Sequence, residues 1–136
     1  MANTQALTTS FLGEVLTATH NFGASPVRAG TTADTFKAAL YLASATINAS
    51  TTAYSATNEV SGTGYTAGGV TVTNATAPLS SNTSTTAGTA YWTPSASITY
   101  TTVTLTTAFD AVLIYNSTQS DKAVSVHTFG SQTITA

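Results

Sequence analysis

Apolar positions change period along the chain, and those changes divide it. From Leu7 to Leu16 the residues Leu7, Phe11, Leu12, Val15 and Leu16 form one stripe on a 3.6-residue period, which predicts a short amphipathic helix. Thr8 or Thr9 is placed to cap it, and Asn21 to Gly23 lie beyond its end. From Thr35 to Leu42 the pattern alternates: Phe36, Ala38, Leu40 and Leu42 share one face, and Lys37, Ala39 and Tyr41 the other. That predicts a half-buried strand, although so short a run also suits a helix. Ser44 to Thr57 is Ala, Ser and Thr around the isolated anchors Ile47 and Tyr54, which suits a long surface loop or a weak strand.

Asn58 to Gly69 then packs four of the nine glycines, Gly62, Gly64, Gly68 and Gly69, into twelve residues, followed at once by Val70-Thr71-Val72-Thr73. Turns followed by a strand are predicted, with the glycines supplying backbone conformations that other residues adopt only at a cost. Gly62-x-Gly64-x-x-Ala67 matches a loose dinucleotide fingerprint, but that motif requires a helix next, and the residues that follow read as a strand. Residues 74 to 88 carry no periodic signal and read as a long loop suited to a contact arm. Tyr91-Trp92-Thr93-Pro94 places the tryptophan at a strand end or edge.

Between Ile98 and Leu105 the apolar parity switches, which predicts a bulge or bend near Thr101-Thr102. Phe109 to Asn116 is apolar on both parities and is the best candidate for a central strand covered on both faces. Asn116 to Asp121 reads as a hairpin turn, and Ala123 to Phe129 as the returning strand, ended by Gly130. A further strand starts at Gln132 and would leave an edge or pair with another molecule. The expected architecture is all-β: a single antiparallel β-sandwich or jelly-roll-like domain over residues 1–136, with a short N-terminal helix and connection over 7–22 and the β-sandwich over 35–136.

Composition sharpens this picture. Only 6% of the 136 residues are charged, the formal net charge is -2, and thirty-two residues are threonine. Charge is the usual protection against self-association, so this surface suits a chain that lives in contact with other protein. With Arg28, Lys37 and Lys122 as its cations, it carries no footprint for nucleic acid. No apolar run is long enough for a membrane span, no cysteine is present, and no secretory signal is expected from the first residues.

The chemistry on offer is thin. His20 and His127 are separated in sequence and no ligand spacing surrounds them, so no metal or other cofactor is expected. The carboxylates Glu14, Asp34, Glu59, Asp110 and Asp121 are scattered, and no nucleophile elbow occurs. Asp110, if it sits in the central strand, needs a partner that Lys37 or Lys122 could supply. Tyr54, Tyr65, Tyr91, Trp92 and Tyr100 offer flat faces that could bind a glycan, although such residues more often anchor a core or an interface. No enzymatic activity is expected.

Ser10-Phe11-Leu12, Glu14-Val15-Leu16, His20-Asn21-Phe22, Asp34 to Tyr41, Thr52-x-Tyr54, Asn58 to Tyr65 with Gly68-Gly69, Phe109 to Asn116 and Lys122-Ala123-Val124 stand in this order and spacing. Together they resemble a group of small virion proteins of tailed bacteriophages. The resemblance implies a capsid decoration or cement protein on the outer face of the virion. The alternatives are a tail, neck or head-fibre component, or a carbohydrate-binding module on the virion surface. It implies the major capsid protein and copies of the chain itself as partners, with a trimer by analogy. Leu7, Phe11, Val15, Pro78, Leu79 and Trp92 are the candidate contacts, and Gly62, Gly64, Gly68 and Gly69 form a structural turn.

Overall fold

The computed structural model describes residues 2–23, 32–73, 79–81 and 83–136. Pro78 lies outside them. The protein is all-β with one short N-terminal helix, as the pattern predicts. Strands β1 (Ala6–Leu7), β2 (Phe36–Leu42), β3 (Val70–Val72), β6 (Leu105–Asn116) and β7 (Lys122–Ile134) form one antiparallel sheet in the order β1-β7-β6-β2-β3. Strands β4 (Leu79–Ser80) and β5 (Ala90–Tyr91) pair as a separate two-stranded ribbon. The layers over the large sheet are therefore a helix, irregular segments and this ribbon.

Helix α1 (Thr9–Leu16) is capped by Thr8, whose hydroxyl accepts from the Phe11 N–H. The same fully buried hydroxyl donates to the carbonyl of Ala123 at 3.0 Å, and the Thr8 N–H reaches the carbonyl of Val124 at 3.1 Å. One threonine thus starts the helix and ties it to β7. The helix ends at Leu16, with Asn21 to Gly23 beyond it as expected. Ala18 takes the left-handed conformation (φ 53°), and the N–H groups of Ala18 and Thr19 close onto the carbonyls of Val15 and Glu14.

Strand β6 is central, as its two-sided apolar pattern predicts. Just before it, Thr102 at φ 54° supplies the bend behind the change of parity, after which Val103 and Leu105 are both buried. Strand β2 is more enclosed than the half-buried strand expected. Phe36, Ala38 and Leu40 face one layer, and Ala39 and Tyr41 are buried on the other under Ala45, Ile47 and Tyr54 of the segment after β2. That segment is irregular but packs closely, because small residues at Ala39, Ala111 and Ala123 let it lie against the sheet.

Three expectations are corrected. Gly130 does not end the returning strand: β7 is continuous to Ile134 and pairs with β6 through register shifts, with Leu105 opposite Ile134. A Cβ at Gly130 would meet nothing within 4 Å, so this glycine has no steric duty. The aperiodic stretch before Gly88 contains β4, held by pairing to β5 rather than by any pattern of its own. Asp110 is partnered by neither lysine: its carboxylate accepts from the Asn3 amide at 2.6 Å.

The glycine-rich turn leads into β3 and not into a helix, which removes the dinucleotide reading. Gly64, Gly68 and Gly69 all have positive φ, and Thr63 bridges to Thr104. At Gly62 a Cβ would sit 2.1 Å from the carbonyl oxygen of Thr104, and at Gly69 (φ +70°) one would sit 1.7 Å from that of Ala38. The turn is thus pressed onto β2 and the entry to β6 where no side chain fits.

Gly69→Ala should therefore destabilise the fold by about 3 kcal/mol or more, since it combines left-handed strain with a backbone clash. Gly130→Ala should stay within about 1 kcal/mol of the parent. Urea denaturation of both variants checks the contrast, and equal losses would refute this account of the turn.

Candidate functional site

Helix α1 is amphipathic, yet none of its residues is buried. Phe11 packs on Phe22 and His20, with ring centroids 5.8 and 5.1 Å apart, and Phe22 stacks on Phe36 of β2 at 4.3 Å. The rest of the stripe overhangs the sheet. Opposite it, Trp92 follows β5 and wedges its ring against Phe22 (5.1 Å) and Phe36 (5.3 Å). Between helix and ribbon runs an open groove of about 650 Å³. Leu7, Phe11, Leu12 and Val15 form one wall, Tyr91, Trp92, Pro94 and Ile98 the other, and Val112, Ile114 and Val124 the floor.

The groove gathers exposed apolar surface. Among the described residues six large hydrophobic side chains are exposed, Leu7, Leu12, Val15, Leu16, Tyr91 and Ile98. Five line the groove, and the sixth, Leu16, ends α1 with 89% of its surface open. Scattered exposed leucines are ordinary, whereas a contiguous patch of this kind marks an interaction surface. Among the described residues no Asp, Glu, Lys or Arg lines it.

At one end Ser125 and His127 stand 2.9 Å apart, Oγ to Nε2. Burial pushes the His127 imidazole below its ordinary value, so the ring is neutral at neutral pH. Among the described residues no group hydrogen-bonds its Nδ1, so the pair lacks the third member that orients a catalytic base.

Of the six contacts expected from sequence, Leu7, Phe11, Val15 and Trp92 come together on this groove. Leu79 is in β4, opposite Tyr91 of the groove wall. Leu12, Tyr91, Pro94, Ile98 and His127 were not among them. Leu12 was legible in the helical stripe and Tyr91 and Pro94 in their cluster around Trp92, but Ile98 and His127 become neighbours only through folding.

Two buried polar clusters lie outside the groove. In the first, His20 Nε2 meets Glu14 Oε2 at 2.8 Å, and Lys122 also pairs with Glu14. Burial pushes the Glu14 carboxyl up, but hydrogen bonds from Lys122 and His20 outweigh it and hold the group below its ordinary value. The fully buried Asn116 amide donates to His20 Nδ1 (2.9 Å) and to Asp34 Oδ2 (2.7 Å). Its oxygen accepts from the N–H groups of Thr118 and Gln119. This arrangement assigns the His20 proton to Nε2.

In the second cluster the buried carboxylate of Glu59 accepts from Tyr54 (2.6 Å), Tyr65 (2.7 Å) and the Gly68 N–H (2.8 Å). Tyr54 stacks on Tyr115, and Tyr65 on Tyr100. Tyr115 and Tyr100 donate to the carbonyls of Gly68 and Ala38. Tyr54, Tyr65 and Tyr100 thus turn their rings and hydroxyls to the interior, leaving Tyr91 as the exposed aromatic among the glycan candidates.

Both clusters are internally satisfied and serve structure. Among the described residues no three His, Asp or Glu side chains converge as a metal site would require, and no helix is long and apolar enough to cross a membrane. No family model, curated protein or solved structure matches the chain. What the described residues define is a small all-β domain with an open apolar groove between its helix and its ribbon.

The tyrosine cage has a pH signature. Burial, reinforced by nearby negative groups, pushes Tyr41 and Tyr115 up to about 12 and moves Tyr54, Tyr65 and Tyr100 upward too. The neutral phenol is the form the fold favours. The resulting stability should be complete below about pH 10, the value in an unfolded chain, and be lost as pH rises toward 12 and beyond. In a Tyr91→Phe variant, which lacks the exposed phenol outside the cage, phenolate absorbance followed alongside circular dichroism should show cooperative ionisation coinciding with unfolding, and independent ionisation of a folded chain near pH 10 would contradict the cage.

Proposed function

We propose that the chain is a capsid decoration or cement protein of a tailed bacteriophage, binding the outside of the capsid lattice and stabilising the particle. The observation that carries this reading is the clustering of exposed apolar side chains around one groove on a chain with 6% charged residues. Such a surface is suited to permanent contact with protein. The resemblance of the helix, turn and central-strand segments to small phage virion proteins supplies the setting.

The mechanism is mass action. A ligand that engages only the assembled shell lowers the free energy of that state, and symmetry repeats each modest contact many times. The groove offers the apolar part of each contact, and the Thr/Ser surface supplies hydroxyls and backbone groups for the rim. The partners are the major capsid protein and copies of this chain. The inward-facing tyrosines speak against a carbohydrate-binding module.

Quantitative mass analysis of purified particles should find the chain in a fixed ratio to the major capsid protein. A handful of copies per particle would reject the decoration role in favour of a tail, neck or head-fibre position. Leu12→Glu combined with Tyr91→Ser should reduce occupancy at least tenfold while the fold persists, since these exposed residues carry interface rather than core energy.

A further inference from the structure

We infer that His20 is an acid-sensitive latch between helix α1 and the sheet: on taking up a second proton its imidazole parts from Asn116 of β6, and the aromatic layer beneath the groove shifts with it. The inference goes beyond the decoration reading and holds whatever the groove receives.

His20 is buried, and both of its ring nitrogens are engaged. Nε2 meets the Glu14 carboxylate at 2.8 Å, and Nδ1 faces the side-chain amide nitrogen of Asn116 at 2.9 Å. A neutral ring with its proton on Nε2 satisfies both contacts. A proton added at Nδ1 would point at a group that can only donate.

Asn116 cannot answer by turning its amide over. Its Nδ2 also donates to Asp34 Oδ2 at 2.7 Å, while its Oδ1 accepts from the N–H groups of Thr118 (3.1 Å) and Gln119 (3.2 Å). A flip would set oxygen against the Asp34 carboxylate and the amide N–H groups against two backbone donors. Asp34 is fixed in turn by the Asn21 N–H at 2.8 Å and the Gln119 amide at 3.1 Å. Because Asn116 is fully buried, no solvent replaces a partner it loses.

The charges around the ring pull the other way. Among the described residues, Glu14 of α1 and Asp34 at the entry to β2 bring negative charge, and Lys122 of β7 meets the second oxygen of Glu14. The rings of Phe11, Phe22 and Phe36 complete the surroundings and carry no charge. Two carboxylates against one ammonium attract a proton to the ring, whereas Asn116 leaves no place for it at Nδ1. Protonation is therefore accommodated by movement, with the imidazolium staying on Glu14 and leaving Asn116. Phe22, two residues on, stacks on Phe36 at 4.3 Å, and Trp92 of the groove wall packs on both, at 5.1 and 5.3 Å. Displacement of His20 thus reaches the groove.

Emission from Trp92, the chain's one tryptophan, provides the test on the purified full chain between about pH 8 and pH 5, the range in which an unperturbed histidine changes charge. The parent should show a reversible shift of the emission maximum while far-ultraviolet circular dichroism stays constant. His20→Gln, whose neutral amide can donate to Glu14 and accept from Asn116 throughout this range, should lose the shift. His127 lines the groove together with Trp92, so His127→Gln serves as the control and should keep it. Nitrogen NMR of the parent at about pH 8 should show His20 as the neutral ring with its proton on Nε2.

A flat emission profile, a shift that survives His20→Gln or vanishes in His127→Gln, or a ring protonated on Nδ1 at the upper end of the range would overturn the inference. Should His20→Gln fail to fold, a shift retained by His127→Gln still assigns the transition to His20, the chain's other histidine. None of these results touches the decoration reading, which is decided by copy number in particles.

Discussion

The carboxylate of Glu59 is buried in a turn, and its three donors come from both sides of that turn: Tyr54 upstream, and Tyr65 and the Gly68 N–H downstream. A buried charge is tolerable only when such donors surround it, so the positions of all three are mutually required. Through them the constraint spreads. Tyr65 also accepts from the Leu40 N–H of β2, and Tyr54 stacks on Tyr115 of β6, whose hydroxyl returns to the carbonyl of Gly68. One carboxylate thus orders the cover on one face, the glycine turn and the two strands they meet.

The network through Glu14, His20, Asn116 and Asp34 has a complementary effect at the other end of the sheet. It satisfies the polar groups where α1 returns to β2 and β6, and fastens the helix by its polar side. The apolar stripe is left overhanging the sheet. Polar anchoring therefore creates the groove: had the stripe itself packed on the core, no contiguous open patch would exist. The open groove and the internal ion pair are two consequences of one orientation.

Features legible in the sequence depend on local rules. The helix and its threonine cap followed from period and from a side chain bonding its own backbone, the central strand from apolar residues on both parities, and the bend at Thr102 from the change of parity. The glycine turn was legible because its backbone conformations and close approaches exclude side chains. Four of the groove residues, Leu7, Phe11, Val15 and Trp92, were likewise visible as stripe and aromatic punctuation.

Other features have no local signature. Gly130 looks like a strand end, but pairing with β6 carries β7 through it. Asp110 takes Asn3, more than a hundred residues away, and Tyr91 and Ile98 meet α1 only because the sheet brings the ribbon across Phe36. The sequence by itself determined the all-β class, the short N-terminal helix, the central strand and the turn, since these rest on backbone propensity and the periodicity of neighbouring residues. Only tertiary structure decided which apolar residues are covered and which remain open, because burial is a property of surfaces brought together from distant parts of the chain.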